Sequence, residues 1–213
     1  MGPMDSAIRL RGFVKRFGAI TAVDGLDLDV PYGSCVGLLG PNGAGKSTTM
    51  KALTAQVIPN DGELEVLGYS LPDDSKQARA QMGVVPQLDN LDVSLTVEQN
   101  LIVFAHLYRV PAAGRKEAIE RALALANLVE RRGSKVDELS GGMRRRLLIA
   151  RALIHQPRLV EVEQLAESRG WPTRRTGTSV AILHSNGSSE LDGVRRVTNL
   201  EDVFVLLTGE EIT

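Results

Sequence analysis

Only one cysteine, Cys35, occurs in the 213 residues, so no internal disulfide can form and a reducing compartment suits the chain. Net charge is almost absent at -1, and no global basic field points to nucleic acid as a partner. No apolar run approaches the roughly 18–20 residues needed to cross a bilayer. Charges begin at Asp5 and Arg9, and no apolar signal core interrupts them. A membrane role would therefore need a separate subunit. Internal repeats and low-complexity segments are missing too. What remains, 43% hydrophobic and 24% charged, suits one sizeable globular domain or a domain with an appendage.

Short β-like runs punctuated by glycine fill the first third: "IRLRGFVKRFG", "LDLDVPYG", "SCVGLLG", "GELEVLG" and "MGVVPQ". "SCVGLLG" is apolar nearly throughout, which predicts a strand buried on both faces. "KSTTMKALTAQV" follows as a predicted helix, giving the strand–loop–helix order of an α/β fold. From Thr96 the pattern turns helical. Thr96 and Gln99 form a Thr-x-x-Gln capping box ahead of "NLIVFAHLYRV". In "GRKEAIERALALANLVERR", Ile119, Ala122, Leu123 and Ala126 repeat at the spacing of one helix face. A third helix, "MRRRLLIARALIH", is expected to stop before Pro157. The tail predicts a short helix near Glu161 to Ser168, a strand in "TSVAIL" and a last helix near "LEDVFVLLTG".

Between strand and helix lies "GPNGAGKST", with Gly-x-x-x-x-Gly-Lys-Ser running from Gly40 to Ser47. Glycines in such a loop let several backbone N–H groups turn toward phosphate oxygens at a helix N-terminus. Lys46 would neutralise the β- and γ-phosphates of a nucleoside triphosphate, and Ser47 would hold Mg²⁺. Much further along, "LSGGM" (Leu139, Ser140, Gly141, Gly142, Met143) opens the third helix, with Ser140 suited to the N-cap.

Taken together, "KRFGAITAVDGLDLDV", "GPNGAGKSTTMKAL", "MGVVPQ", "LTVEQNL" and "LSGGMRRRLLIARALIHQPRL" resemble the ATP-binding subunits of ABC transporters. Met143 and the closing "NLEDVFVLLTG" look most like the drug-resistance and nodulation-factor exporter branch. The resemblance implies an α/β P-loop NTPase of the ABC type, with a mixed sheet around the cradle helix and a helical subdomain. It divides the chain into an ATP-binding core (1–95), a helical subdomain with the signature helix (96–157) and a shortened tail (158–213). ATP and Mg²⁺ are the implied cofactors.

Residue by residue, the resemblance gives ATP binding to Gly40, Pro41, Asn42, Gly43, Ala44, Gly45, Lys46, Ser47 and Thr48. Phe17 matches an aromatic that stacks on adenine; the alternative is an ordinary core Phe. Gln87 matches a glutamine that contacts Mg²⁺ and the attacking water, so Ser47 and Gln87 are the implied metal contacts. Leu139, Ser140, Gly141, Gly142 and Met143 would meet ATP held by a second subunit. A homodimer seated on an integral membrane permease follows, in the cytoplasm at the inner face of the cell membrane, with no nucleic acid.

The family's next strand is what this sequence does not contain. In the family the signature helix runs into an apolar strand closing with Asp-Glu, whose carboxylates hold Mg²⁺ and polarise water. Here "RL" meets "VEVEQLAESRGW", with only Leu159 and Val160 ahead of Glu161. Those are too few for a buried strand, so the stretch is expected to be tail helix, with Glu161 and Glu163 as surface carboxylates. His184 follows an apolar run and imitates the family's switch histidine, yet it reads as an ordinary tail residue. An internal deletion would account for this and leave the central sheet incomplete; "TSVAIL", Thr178 to Leu183, is expected to pair with the core sheet near the "SCVGLLG" strand.

Overall fold

The computed structural model describes residues 6–33, 35–38, 43–86, 88–162, 178–182, 188–191 and 194–197. These divide into two compact units: one holds the described residues up to Met82 and from Arg158 onward, the other those from Gly83 to Pro157.

The first unit opens with a long hairpin, β1 (Ser6–Phe17) and β2 (Ile20–Pro31), turned at Gly18 and Ala19. β1 also pairs with β4 (Asp61–Val66), and β4 with β5 (Tyr69–Leu71), giving an antiparallel sheet of order β2-β1-β4-β5. Leu10 and Phe13 are both buried although three residues apart, which strict alternation forbids. A bulge resolves this. Gly12 takes φ 55°, its N–H donates to Asp27 Oδ1 at 2.7 Å, and the β1–β2 register shifts between Leu10 and Phe13. Ile8, Leu10 and Phe13 thereby face a core completed by Val30, Met50, Leu53, Leu64, Val66 and Met82.

The second sheet has the order β3-β8-β7-β6, from Cys35–Leu38, Thr178–Ile182, Leu159–Val162 and Met82–Val85. The expected tail helix from Glu161 is corrected at its start: Leu159–Val162 is strand β7, with Leu159 and Val160 buried. Four residues suffice because the ladder is made by backbone groups, whatever the side chains. Arg158 and Leu159 N–H donate to the Gln81 carbonyl at 2.8 and 3.2 Å and fix where β7 begins. The expected pairing of the Thr178 run beside the Cys35–Leu38 strand is found, so the sheet is not left open there. β8 lies between β3 and β7, antiparallel to both, with Val180 opposite Val36 on one side and Glu161 on the other. β3 and β7 consequently run the same way, and their C-terminal residues Leu38 and Val162 lie at one end of the sheet. A two-stranded ribbon of β9 (Ser188–Leu191) and β10 (Val194–Val197) follows. The expected closing helix near "LEDVFVLLTG" lies outside the described residues.

The second unit is mainly helical: α3 (Val97–Leu107), α4 (Ala112–Leu125) and α5 (Gly141–Leu153). The capping box forms as expected. Gln99 N–H donates to Thr96 Oγ1 at 3.2 Å, and Thr96 N–H to Gln99 Oε1 at 2.9 Å. Ile119, Ala122, Leu123 and Ala126 are all buried, so the face read from their spacing is the packing face of α4. Two short helices, α1 (Lys46–Leu53) and α2 (Ser75–Ala80), belong to the first unit.

Two substitutions test this architecture. Thr96→Ala removes one member of the capping box and should cost about 1 kcal/mol in urea denaturation. Val180→Pro deletes a ladder donor inside a strand with neighbours on both sides, so its cost should reach about 1–3 kcal/mol. An unchanged midpoint for Val180→Pro would show that β8 does not hold the sheet together.

Candidate functional site

β3 delivers the chain to the glycine loop. Gly40, Pro41 and Asn42 lie outside the described residues; Gly43, Ala44, Gly45, Lys46, Ser47 and Thr48 lie within them. Gly43 has φ 85° and Gly45 φ 81°, conformations that side chains disfavour. Gly45 has a second constraint. A Cβ there would stand 2.5 Å from the Ala22 carbonyl oxygen and 2.9 Å from Val23 Cγ2, so β2 presses directly against the loop. Gly45 caps α1 in the left-handed region, and its carbonyl accepts from Thr49 N–H at 2.8 Å and Thr49 Oγ1 at 3.0 Å.

Lys46 and Ser47 occupy the first turn of α1, where N–H groups have no partner within the helix and the dipole favours anions. Lys46 is half-buried and Ser47 exposed, and no acidic residue stands in that turn to compete for an incoming anion. The cradle chemistry read from the sequence thus has a suitable local backbone.

Phe17 is placed on the same structure by register. It pairs with Ile20 at the hairpin tip, while Val23, which presses on Gly45, pairs with Lys15. The alternative of an ordinary core Phe does not hold: the ring is 49% exposed, with Lys15 Nζ 5.0 Å from its centroid. Stacking on a base requires an exposed aromatic ring of this kind. Its exposure was hidden in the sequence, because the bulge at Gly12 decides which later residues of β1 face inward.

The signature residues lie in the second unit. Ser140 is the N-cap of α5, accepting from Met143 N–H at 3.3 Å. Leu139 is buried as an anchor, whereas Ser140, Gly141 and Gly142 are exposed. Nothing lies within 4 Å of where a Cβ would stand on Gly141 or Gly142. This helix start is open to an external ligand. The arginines behind it are used internally: Arg144 Nε donates to the Leu139 carbonyl (3.1 Å), Arg145 Nη1 to Pro86 (2.7 Å) and Arg146 Nε to Ala126 (2.9 Å).

Gln87 and His184 lie outside the described residues. One cluster escaped the sequence reading. Arg151, 3% exposed, lies over the Phe104 ring at 3.9 Å and donates to Asn90, while Tyr108 and His155 stack at 3.8 Å. Burial lowers the Arg151 pKa to about 10, the nearby Tyr108 and Asp89 opposing the shift. Burial also raises the Tyr108 pKa, against the pull of Arg151. "RRRLLIAR" carried the signal, but a charge run reads equally well as a solvated face. Among the described residues no trio of His, Cys, Asp or Glu could hold a metal, and no helix is long and apolar enough to cross a membrane.

Comparison with known proteins places these features. A family model described as ABC transporter matches residues 23–161. The chain is 43% identical over 157 residues to Nod factor export ATP-binding protein I of Ralstonia nicotianae, aligning 74% of this chain with 49% of that one. It is 46% identical over 158 residues to the protein of the same name from a Rhizobium species, covering 74% and 52%. The chain therefore spans about half the length of the curated relatives it matches. Among solved structures, an ATP-binding cassette captured as a dimer in a post-hydrolysis state with ADP and Pi aligns at TM-score 0.63 and 28% identity, over 74% of this chain and 73% of that one. An ATP-binding subunit of an ABC transporter shares the fold at TM-score 0.64 and 24% identity, over 75% and 66%. With cradle, signature and fold in agreement with these matches, the chain belongs to the ABC transporter family as an ATP-binding component.

Proposed function

We propose that the chain binds ATP with Mg²⁺ at Gly43–Thr48 and works as the ATP-binding subunit of an exporter whose membrane-spanning part is a separate protein. The observation that carries this is the start of α1: a left-handed Gly45 wedged against β2, followed by Lys46 and Ser47 in the first turn. Backbone N–H groups and Lys46 would hold the phosphates, and Phe17 would stack on the base. Mg²⁺ suits a site with one hydroxyl ligand from the protein and the rest from phosphate and water, which Ser47 provides, with Gln87 as a further contact. The metal would neutralise charge on the phosphates during transfer.

Ser140, Gly141 and Gly142 support the second half of the reading. A single chain carries one cradle and one signature, so a second copy would complete each site in trans. The dimeric cassette aligned above supports that arrangement. Exposed apolar side chains at Leu88, Val93, Val103 and Leu107 favour a further partner, which we assign to the membrane permease. On this reading the subunit sits at the inner face of the cell membrane. The names of the relatives support export as the direction.

A second reading has its own observation. After β7 the sequence continues with Glu163 and Gln164 rather than Asp-Glu, and β8 fills the place beside β3. On that reading the chain binds nucleotide without hydrolysing it, as a regulatory partner or as the product of an internal deletion. Losing a positioned acid–base group costs roughly 10²–10⁴-fold in rate.

Two measurements bear on these readings. Lys46→Ala should weaken binding of a fluorescent ATP analogue by about ten- to hundredfold, the value of a charged hydrogen bond; unchanged affinity would sink the nucleotide site. On the second reading, hydrolysis by the purified chain should stay near background. A turnover of about 1 s⁻¹ or above that Lys46→Ala abolishes would exclude the non-hydrolysing reading.

A further inference from the structure

Lys15 stands at a junction in the first unit. Its Nζ lies over the Phe17 ring, 5.0 Å from the centroid, and donates to the Ile58 carbonyl at 2.8 Å. In the β1–β2 ladder its partner is Val23, which packs against Gly45 of the glycine loop. Two further bonds tie the same stretch of β1 to 58–60. Asn60 N–H donates to the Val14 carbonyl at 2.9 Å, and Arg16 N–H to Asn60 Oδ1 at 2.8 Å. That segment follows the end of α1, where Gln56 and Val57 N–H both donate to the Lys51 carbonyl, at 2.7 and 3.1 Å. The end of β1 that carries Phe17 is therefore fastened to the helix that begins at Lys46.

Two contacts suit Lys15 to hold the ring. An ammonium within about 6 Å of an aromatic centroid is attracted to the ring face, and the ring cannot swing away without losing that attraction. The Ile58 carbonyl in turn holds the ammonium, since a Lys head on a flexible four-carbon stem needs a second contact to stay in one place. Phe17 is half exposed, so its ring is fixed from one face while the rest meets solvent.

We propose that Lys15 is a positioning residue for base recognition. Its ammonium occupies one face of the Phe17 ring and fixes the ring's tilt, so that a nucleotide's base stacks on the opposite face. The base then meets an aromatic already held in place, and little ordering is left for the moment of binding. Lys15 touches the ring and not the base, and it leaves phosphate binding at Gly43–Thr48 alone. This rests on the nucleotide-site reading, to which it adds the residue that sets the ring.

Calorimetric titration of the full chain with ATP and with inorganic tripolyphosphate, each with Mg²⁺, separates the base from the phosphates. Lys15→Met keeps the apolar stem and should weaken ATP about two- to fivefold, the value of an exposed cation–π contact, with tripolyphosphate unchanged. Lys15→Arg, which retains a cation for the ring and a donor for the carbonyl, should restore the parental affinity. In a Phe17→Leu background, Lys15→Met should cost nothing further, because the two residues act through one contact. Without nucleotide, the ring current should move the Lys15 ε-methylene proton resonances upfield in the parent, and Phe17→Leu should abolish that shift. Unchanged ATP affinity in Lys15→Met, or equal weakening of ATP and tripolyphosphate, overturns this role. A parent that binds ATP no more tightly than tripolyphosphate overturns base stacking and this role with it. A parent that binds neither overturns the nucleotide site instead, and the ε-methylene shift then judges the Lys15–Phe17 contact alone.

Discussion

A strand with a neighbour on each side points the N–H and C=O groups of alternate residues to one neighbour and then the other, and both sets need partners. β8 meets that demand for β3 and β7 together, since its backbone bonds to Cys35–Leu38 on one side and Leu159–Val162 on the other. β3 leads in sequence to the glycine loop. β2 fixes the loop from another direction, with Ala22 and Val23 against Gly45. Position of the loop thus depends on pairing made by residues far away in sequence. Each pairing is worth little per bond, but a few unsatisfied groups would consume a large share of a typical folding free energy of roughly 5–15 kcal/mol.

The helical unit solves a different problem. The start of α5 is exposed, and the helix is held from behind by its arginines, which donate to backbone carbonyls at Leu139, Pro86, Ala126 and Asn90. Guanidinium groups suit the task because several donors lie in one plane and the charge persists even when burial lowers its pKa. The salt bridges on this unit are secondary. Arg132 reaches Glu98 and Glu120 at 3.0 and 2.7 Å, but all three are substantially exposed and such pairs contribute roughly 0–1 kcal/mol.

Membership of the ABC transporter family accounts for the division of labour between the units: a phosphate cradle in one and a signature helix in the other. What is particular to this chain comes after α5. The family match stops at Glu161, within β7, and the next described strand enters antiparallel between β3 and β7. The slot is closed by the residues at hand.

Features governed by a few neighbouring residues were legible in the sequence. The capping box at Thr96 and Gln99, the cap at Ser140, the buried face of α4 and the strand–loop–helix of the cradle all depend on contacts within about one or two helical turns. The apolar run at Thr178 was legible as a strand for the β3 edge, because Thr, Val and Ile favour extended backbone. Its antiparallel direction was not. Strand β7 was misread because a ladder is made of backbone, and two apolar residues ahead of Glu161 say little about whether a partner waits. Phe17 could have been core or surface until the bulge at Gly12 set the register, and Arg151 could have been solvated until Phe104 and Asn90 enclosed it. The sequence by itself determined the local geometry of the cradle and caps, through backbone preference and short-range hydrogen bonds. Only the tertiary structure decided which strands pair, which aromatic stays open and which arginine is buried, because those outcomes depend on groups that meet only when distant segments pack.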